Sequence, residues 1–298
     1  MVTKTSFAGI YPPIATPFGD DGEVSIAGLK HNLTKWGQAD LAGLVVLGSN
    51  GEFPYLDDYE RDTVIATVLE SAPSRFKIIV GTSREATRAT IRTTQRAAEL
   101  GAHAAIVVNP SYYVGRMTDP VLYEHYVAVA DASPIPVLLY NVPPFTGVNL
   151  SPQLVTRLAQ HPNIVGIKDT SANIVQIADI VRLTPPDFTM LAGSASFLLP
   201  SLAVGAQGGI LAIANLAPDE CVELKRLYDA GKMMEAQSLH QRLLAPNAAV
   251  TTRFGQAGLK AAMEMRGYFG GLPRRPLLPL TATEHKELKS ILETAGLV

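Results

Sequence analysis

Cysteine is almost absent from this chain of 298 residues, because Cys221 is the only one. A single thiol cannot close a disulfide within the chain or build a cysteine-based metal cluster. Long apolar runs are missing too, since no stretch approaches the roughly 18 residues of a membrane-spanning helix. The first residues, MVTKTSFAGIYPP, lack the apolar segment of a secretory signal peptide. These absences predict a cytoplasmic protein without a membrane segment.

Charge is scarce and nearly balanced. Charged residues make up 17% of the chain and the formal net charge is −2, so neither nucleic acid nor an anionic membrane is an expected partner. None of the six histidines has the spacing of a metal-binding pair, and no Gly-x-Gly-x-x-Gly motif follows a predicted strand. We therefore predict no cofactor, whether a metal ion or a nicotinamide.

Short apolar runs alternate with longer amphipathic segments along the chain. The short runs are rich in Val, Ile, Leu and Ala, which is typical of parallel strands buried on both faces. Eight such strands, each followed by a helix, predict an α/β fold, and their regularity favours a closed (β/α)8 (TIM) barrel over an open doubly wound sheet. The predicted strands are Gly9–Ile14, Gly43–Leu47, Lys77–Gly81, Ala104–Val108, Pro136–Tyr140, Ile164–Lys168, Met190–Gly193 and Gly209–Ile213.

The chain continues well beyond the eighth predicted strand. We assign residues 1–215 to the barrel and residues 216–298 to a C-terminal helical region packed on it. The predicted helices of this region are Pro218–Ala230, Lys232–Leu244, Phe254–Arg266 and Glu284–Leu297.

Lys168 is the most informative polar residue, because it ends an otherwise apolar strand. Active sites of (β/α)8 barrels lie at the carboxyl ends of the strands, where this lysine is expected. Burial disfavours the charged ammonium and so favours the neutral amine, which attacks carbonyl carbons. The alternative is a lysine at the rim that pairs with a carboxylate such as Asp169.

Two further features end neighbouring strands. Tyr140 carries a phenol that could move protons to and from a substrate, although an aromatic residue there could equally cap the barrel core. In the loop Gly48–Gly51, two glycines flank Ser49 and Asn50. Such a loop could turn its backbone N–H groups inward as an anion-binding nest, or it could be an ordinary tight turn.

Together these motifs resemble the dihydrodipicolinate synthase / N-acetylneuraminate lyase superfamily of class I aldolases. The likeness covers essentially the whole chain, and the spacing of the Tyr-x-x-Pro motif and the lysine is its most specific part. Its motifs are Thr16-Pro17, Gly48–Glu52, Tyr140–Pro143, Ile167–Asp169 and Gly209-Ile210. The runs GSNGEFP, SPIPV, QHPNIVG and LAGSA are most similar to the 4-hydroxy-2-oxoglutarate aldolases within that superfamily.

The resemblance implies a role for each motif. Lys168 would form a Schiff base and Tyr140 would act in acid–base catalysis, while Ser49 and Asn50 would bind the carboxylate of a 2-oxo acid. Tyr112 would cross a dimer interface to complete a proton relay in the neighbouring subunit, and relatives are commonly tetramers built from tight dimers. We therefore expect a homotetramer. The other residues assigned to substrate contacts are Thr16, Thr170, Gly193 and Ile210.

Phe145 marks a departure from the synthases of this superfamily. Those enzymes usually carry an arginine at this position, and two threonines where this chain has Ser49 and Asn50. Phenylalanine cannot form the bidentate carboxylate pair that arginine offers. Arg116 stays a candidate for reaching the pocket from elsewhere.

The predicted reaction is retro-aldol cleavage of a 4-hydroxy-2-oxo acid, with 4-hydroxy-2-oxoglutarate giving pyruvate and glyoxylate. Three alternatives stay open. The first is 4-hydroxy-tetrahydrodipicolinate (dihydrodipicolinate) synthase, which condenses pyruvate with aspartate semialdehyde. The second is an aldolase or dehydratase for a deoxy-2-oxo sugar acid, and the third is a non-catalytic barrel that senses a 2-oxo acid.

Overall fold

The computed structural model describes residues 5–298 and contains one sheet of eight parallel strands. The strands are β1 (Gly9–Tyr11), β2 (Gly43–Val46), β3 (Lys77–Gly81), β4 (Ala104–Val108), β5 (Val137–Asn141), β6 (Ile164–Asp169), β7 (Thr189–Ala192) and β8 (Gly208–Ile210). Neighbours in the sheet are neighbours in sequence from β2 to β8, and β8 pairs with β1. The predicted (β/α)8 barrel is confirmed.

The ring closes between β1 and β2 through a few backbone contacts. The N–H of Ala42 donates to the carbonyl of Ile10 at 3.1 Å, and the N–H of Val45 donates to the carbonyl of Pro12 at 3.0 Å. Proline has no N–H to add to a ladder, so β1 ends before Pro12 and is shorter than predicted.

Helices surround the sheet. They are α1 (Ile26–Trp36), α2 (Asp58–Ser71), α3 (Thr87–Leu100), α4 (Asp119–Ala132), α5 (Pro143–Thr146), α6 (Pro152–Leu158), α7 (Ile174–Leu183), α8 (Leu198–Ala203), α9 (Pro218–Asp229), α10 (Met233–Ala248), α11 (Gly255–Met265) and α12 (Ala282–Thr294). A 3-10 turn, Ala195–Phe197, precedes α8. No helix within residues 5–298 combines the length and apolar character needed to cross a bilayer.

Four helices, α9 to α12, follow β8, where the sequence predicted a C-terminal helical region. Helix α10 is longer than predicted and contains Pro246, and a π-helical turn at Ala249–Arg253 links it to α11. The division of the chain between residues 215 and 216 stays a prediction.

The sheet separates two apolar cores. A small inner core fills the barrel, and a larger outer core lies between the strands and the helices. Side chains of a strand alternate between its two faces, so Val45 belongs to the inner core while Leu44 and Val46 belong to the outer one. Because both faces are apolar, the strands read as continuous hydrophobic runs in the sequence.

The pair β5–β6 departs from this alternation. Val137 pairs with Ile164, but the next residue, Leu138, pairs with Gly166. Val165 is therefore an extra residue in β6, which is a β-bulge. A side chain at Gly166 is excluded, since an added Cβ would lie 2.5 Å from the carbonyl oxygen of Thr189 on β7.

The bulge decides which way Lys168 points. Val165 belongs to the inner core, and in a regular strand a residue three positions later would face the opposite side. The extra residue reverses that alternation, so Lys168 pairs in register with Tyr140, another member of the inner core. Both polar side chains therefore enter the barrel at its carboxyl end.

His125 is a buried titratable residue on α4. Its Nδ1 lies 2.9 Å from the hydroxyl of Thr87, and its ring packs edge-on against Tyr126 with 5.3 Å between centroids. Burial lowers the pKa of His125 to about 4, because the imidazolium would lose its hydration.

This depressed pKa predicts a loss of stability in acid. Between pH 6.5 and about 4 the unfolded chain binds a proton at His125 that the folded chain does not, so the free energy of unfolding falls as the pH falls. The contribution is at most about 1.4 kcal/mol per pH unit. In equilibrium urea unfolding, the His125→Gln variant should lack this part of the pH dependence of the free energy of unfolding. The variant His285→Gln, a control at an exposed position, should retain it. Parallel stability–pH curves for wild type and His125→Gln would contradict this assignment.

Candidate active site

Lys168 and Tyr140 lie side by side at the carboxyl ends of β6 and β5. The Nζ of Lys168 is 4.1 Å from the centroid of the Tyr140 ring, and the Tyr140 hydroxyl is 3.4 Å from the Oγ of Ser49. The two residues are only 5% and 7% exposed, respectively. The structure thus brings together an amine, a phenol and a serine hydroxyl that the sequence singled out.

Asp169 is engaged elsewhere and is not the partner of Lys168. Its carboxylate accepts hydrogen bonds from Nδ2 of Asn141 at 2.7 Å, from Nε2 of Gln176 at 3.0 Å and from the backbone N–H of Ser171 at 2.8 Å. These donors hold the carboxylate on the side of β6 that faces away from the inner core. The rim ion pair considered from the sequence is therefore wrong.

The loop that carries Ser49 and Asn50 is a single 3-10 turn, Ser49–Gly51. It is flanked by Leu47 with φ 57° and Glu52 with φ 55°, and both values lie in the left-handed region that non-glycine residues seldom adopt. Backbone strain of this kind persists only where surrounding contacts enforce it. One such contact is the hydroxyl of Thr16, which donates to the carbonyl of Gly51 at 2.7 Å.

Two neighbouring spaces adjoin these residues. An inner pocket of about 10 Å³, room for about one water molecule, lies against Lys168 and Tyr140. An outer cavity of about 720 Å³ opens beyond it. Both spaces are lined by Ser49, Phe53, Ser83 and Val108. A molecule that reaches the amine must therefore extend outward into the larger cavity.

Three other predicted residues are not among those that line either space. The hydroxyl of Thr170 is buried and has no hydrogen-bond partner among the described residues. Gly193 donates its N–H to the carbonyl of Asp169 at 2.7 Å, and an added Cβ would lie 2.0 Å from Oγ1 of Thr170. Only glycine fits there. Ile210 is fully buried in the inner core.

Tyr112 and Phe145 are exposed at the barrel mouth, with 79% and 71% of their surface accessible. Phe145 lines the outer cavity, whereas the described lining includes neither Tyr112 nor Arg116. The backbone of Tyr112 is nevertheless held, because its N–H donates to a carboxylate oxygen of Glu85 at 3.0 Å. Within this protomer, Tyr112 and Arg116 are not part of the site.

Two arginines line the outer cavity, and both have partners. Arg84 pairs with Asp58. Arg61 donates to the carbonyls of Leu56 at 3.0 Å and Phe53 at 2.6 Å. Arg61 thus uses two of its nitrogens on backbone carbonyls, and Arg84 uses one nitrogen on Asp58. Residues 5–298 also contain no group of three or more His, Cys, Asp or Glu residues suited to a metal ion.

A buried ion pair behind the loop was missed by sequence reasoning. Nζ of Lys260 on α11 lies 2.6 Å from a carboxylate oxygen of Glu52, and both side chains are 1% exposed. Burial lowers the pKa of Lys260 to about 8, with the charge of Glu52 opposing that shift. The other carboxylate oxygen accepts the backbone N–H of Arg274 at 2.8 Å. A lysine inside the apolar segment LKAAM was the available signal, the same kind that drew attention to Lys168.

Breaking this pair should strongly destabilise the fold. Lys260→Met leaves the Glu52 carboxylate buried without a counter-charge, and we expect the free energy of unfolding to fall by roughly 3 kcal/mol or more. Lys289→Met, which removes one partner of an exposed pair with Glu293, should change it by less than about 1 kcal/mol. Guanidinium unfolding measures both.

The double variant Lys260→Met/Glu52→Gln tests the cause of that loss. Because it removes the stranded charge, it should be more stable than Lys260→Met alone. Strictly additive losses would show that the two charges do not act as a pair.

Residues 6–295 match the model of the Dihydrodipicolinate synthetase family. A 4-hydroxy-tetrahydrodipicolinate synthase from Exiguobacterium sp. is 37% identical over 287 residues, which are 96% of this chain and 97% of the relative. Five further relatives, 35–37% identical, carry the same synthase name. A probable mitochondrial 4-hydroxy-2-oxoglutarate aldolase from Emericella nidulans is 35% identical, and the match covers 97% of this chain and 95% of that protein.

A solved structure has the same fold throughout. It is a prophage protein of the dihydrodipicolinic acid synthase family from E. coli K12 in complex with pyruvate, 32% identical, with a TM-score of 0.92. The match covers 99% of this chain and 100% of that protein.

Proposed function

The chain belongs to the Dihydrodipicolinate synthetase family of Schiff-base carbon–carbon lyases, and from this premise we propose that Lys168 is its imine-forming residue. The observation that carries the proposal is the buried amine beside the Tyr140 phenol, at the end of a pocket that opens to the barrel mouth. A receptor that only bound a 2-oxo acid would need neither group.

In the first half of the proposed reaction, Lys168 becomes covalently linked to substrate. The neutral amine attacks the C2 carbonyl of a 4-hydroxy-2-oxo acid, and the Tyr140 phenol supplies the proton with which the added hydroxyl leaves as water, giving a protonated imine and a tyrosinate. The positive imine nitrogen is an electron sink that free substrate lacks. The substrate carboxylate accepts hydrogen bonds from the side chains and backbone N–H groups of Ser49 and Asn50. These N–H groups are available because they lie at the start of the 3-10 turn, where they have no partner within the turn.

In the second half, the carbon chain is cleaved. Tyr140 accepts the C4 hydroxyl proton, the C3–C4 bond breaks, and its electron pair moves into an enamine on Lys168 while the aldehyde leaves. Protonation at C3 and hydrolysis then release pyruvate and regenerate the amine. The 3.4 Å contact between Tyr140 and Ser49 gives the phenolic proton a path along the pocket wall.

We propose that the protein works as a homo-oligomer, a tetramer of two tight dimers. Tyr112 supports this, because its aromatic ring stands exposed on a backbone held by Glu85. An exposed aromatic ring of this kind suits an interface, where it would be covered by a partner. In such a dimer Tyr112 would extend the proton relay of the neighbouring subunit.

The proposed substrate is 4-hydroxy-2-oxoglutarate, with glyoxylate as the second product. Phe145 supports this choice, because it lines the outer cavity at the position where synthases of the family usually have an arginine. Of the arginines that do line the cavity, Arg61 donates to backbone carbonyls and Arg84 pairs with Asp58 through one nitrogen. The 35% identity to the probable aldolase of Emericella nidulans agrees with this choice.

A second candidate is 4-hydroxy-tetrahydrodipicolinate synthase, which would add the same enamine to aspartate semialdehyde. The names of the relatives favour it, since the protein from Exiguobacterium sp. and five others are called synthases. Both candidates need the pyruvyl imine on Lys168, so they differ only in the aldehyde.

Borohydride reduction in the presence of pyruvate should attach a pyruvyl group to Lys168, detectable by peptide mass spectrometry. Lys168→Ala should lose both the adduct and on the order of 10³-fold or more of the turnover rate. Lys286→Ala, which removes an exposed lysine on α12, should retain both. Wild-type protein whose Lys168 stays unmodified would rule out the imine mechanism.

Substrate comparison should separate the two candidates. We expect kcat/KM for pyruvate release from 4-hydroxy-2-oxoglutarate to exceed that for consumption of aspartate semialdehyde with pyruvate by at least tenfold. A missing hydrogen-bonded charge contact typically costs about that much or more. Phe145→Arg should raise the second value. A wild-type preference for aspartate semialdehyde would replace the aldolase assignment with the synthase.

A further inference from the structure

Gln256 lies against the loop Leu47–Glu52, which carries Ser49 and Asn50 and is called the substrate loop below after its proposed role. It is more than 200 residues away from this loop in sequence. Its Nε2 donates to the carbonyl of Ser49 at 3.1 Å, and its Oε1 accepts from Nδ2 of Asn50 at 3.2 Å. A carbonyl can only accept, so the amide nitrogen must face Ser49 and the oxygen must face Asn50. One side-chain amide therefore bridges two consecutive residues of the loop.

The loop requires an external support of this kind. Its ends, Leu47 and Glu52, both have positive φ, and its only internal bonds join Gly51 to Gly48 and Glu52 to Ser49. Such a short strained turn holds one shape only if neighbouring structure fixes it. The carbonyl of Ser49 is fixed twice, by the N–H of Glu52 at 3.1 Å and by Gln256.

Helix α11 is itself firmly attached to the loop. Gln256 and Lys260 are four residues apart and lie on one face of the helix. Lys260 reaches Glu52 at the far end of the loop through the buried ion pair, and its Nζ also donates to the carbonyl of Leu272 at 2.9 Å. The helix thus contacts the loop at two places, through the Gln256 amide at Ser49 and Asn50 and through the buried ion pair at Glu52.

We infer that Gln256 is a positioning residue, which acts through Ser49 and Asn50 to hold the loop in the shape that binds the substrate carboxylate. The inference rests on the proposed role of that loop. Gln256 is half-buried and lines the outer cavity beside Ser49, but both functional atoms of its amide are used by the loop. Its effect should therefore appear in substrate binding rather than in the chemistry at Lys168.

Gln256→Met tests this role, because methionine keeps the length of the side chain and removes both hydrogen bonds. The pyruvate concentration that gives half-maximal borohydride trapping should rise about tenfold, while the trapping yield at saturating pyruvate stays within about threefold. Gln237→Met on α10, at an exposed position, should leave both unchanged. An unchanged half-maximal concentration for Gln256→Met, with wild type trapping normally, would overturn the positioning role and leave the imine intact.

A double-variant cycle tests whether Gln256 acts through the loop. If it does, Asn50→Ala/Gln256→Met should weaken pyruvate binding by clearly less than the product of the two single effects. Multiplicative effects would place the action of Gln256 elsewhere.

Should Gln256→Met fail to fold by its thermal transition, Gln256→Glu replaces it, because the carboxylate can accept from Asn50 but cannot donate to Ser49. That variant should raise the half-maximal concentration at least as much, and wild-type-like binding would overturn the inference. Failure of wild type to trap pyruvate would instead refute the proposed function.

Discussion

One extra residue in β6 determines where the side chain of Lys168 points. Without the bulge at Val165, Tyr140 would pair with Ile167, and Lys168 would face the outer core with its amine packed among helices. With it, the lysine and the tyrosine share one register position on the inner side of the barrel. The proximity of amine and phenol is therefore a property of backbone pairing, and Gly166, which passes close to Thr189, permits it.

The substrate loop depends on contacts from outside the barrel strands. Thr16 holds its carbonyl at Gly51, while Gln256 and Lys260 reach it from α11. A buried ion pair such as Glu52–Lys260 is not required for stability as such, since desolvation offsets much of the attraction. Its benefit here is geometric, because the ion pair with Lys260 holds Glu52 in one position and so fixes the left-handed backbone conformation of that residue.

Local sequence signals were sufficient for the barrel and for the centre of the site. Continuous apolar runs identified all eight strands, and polar residues at strand ends identified Lys168, Tyr140 and Ser49. The bulge could not be predicted, because the sequence pattern of a strand that is apolar on both faces does not change when the alternation of its side chains shifts by one residue. The contacts of Gln256 could not be predicted for a different reason. They are set by tertiary packing between distant parts of the chain, and no local periodicity encodes such contacts.

The sequence distance between the loop and its supports also has a consequence during translation. All eight strands have been synthesised once Ile210 is added, so a nascent chain already contains Lys168 and its tyrosine. The residues that brace the loop, Gln256 and Lys260, are made later. A nascent chain thus contains the proposed nucleophile before the residues that brace the proposed carboxylate-binding loop, and the loop gains those contacts only after α11 has emerged and docked.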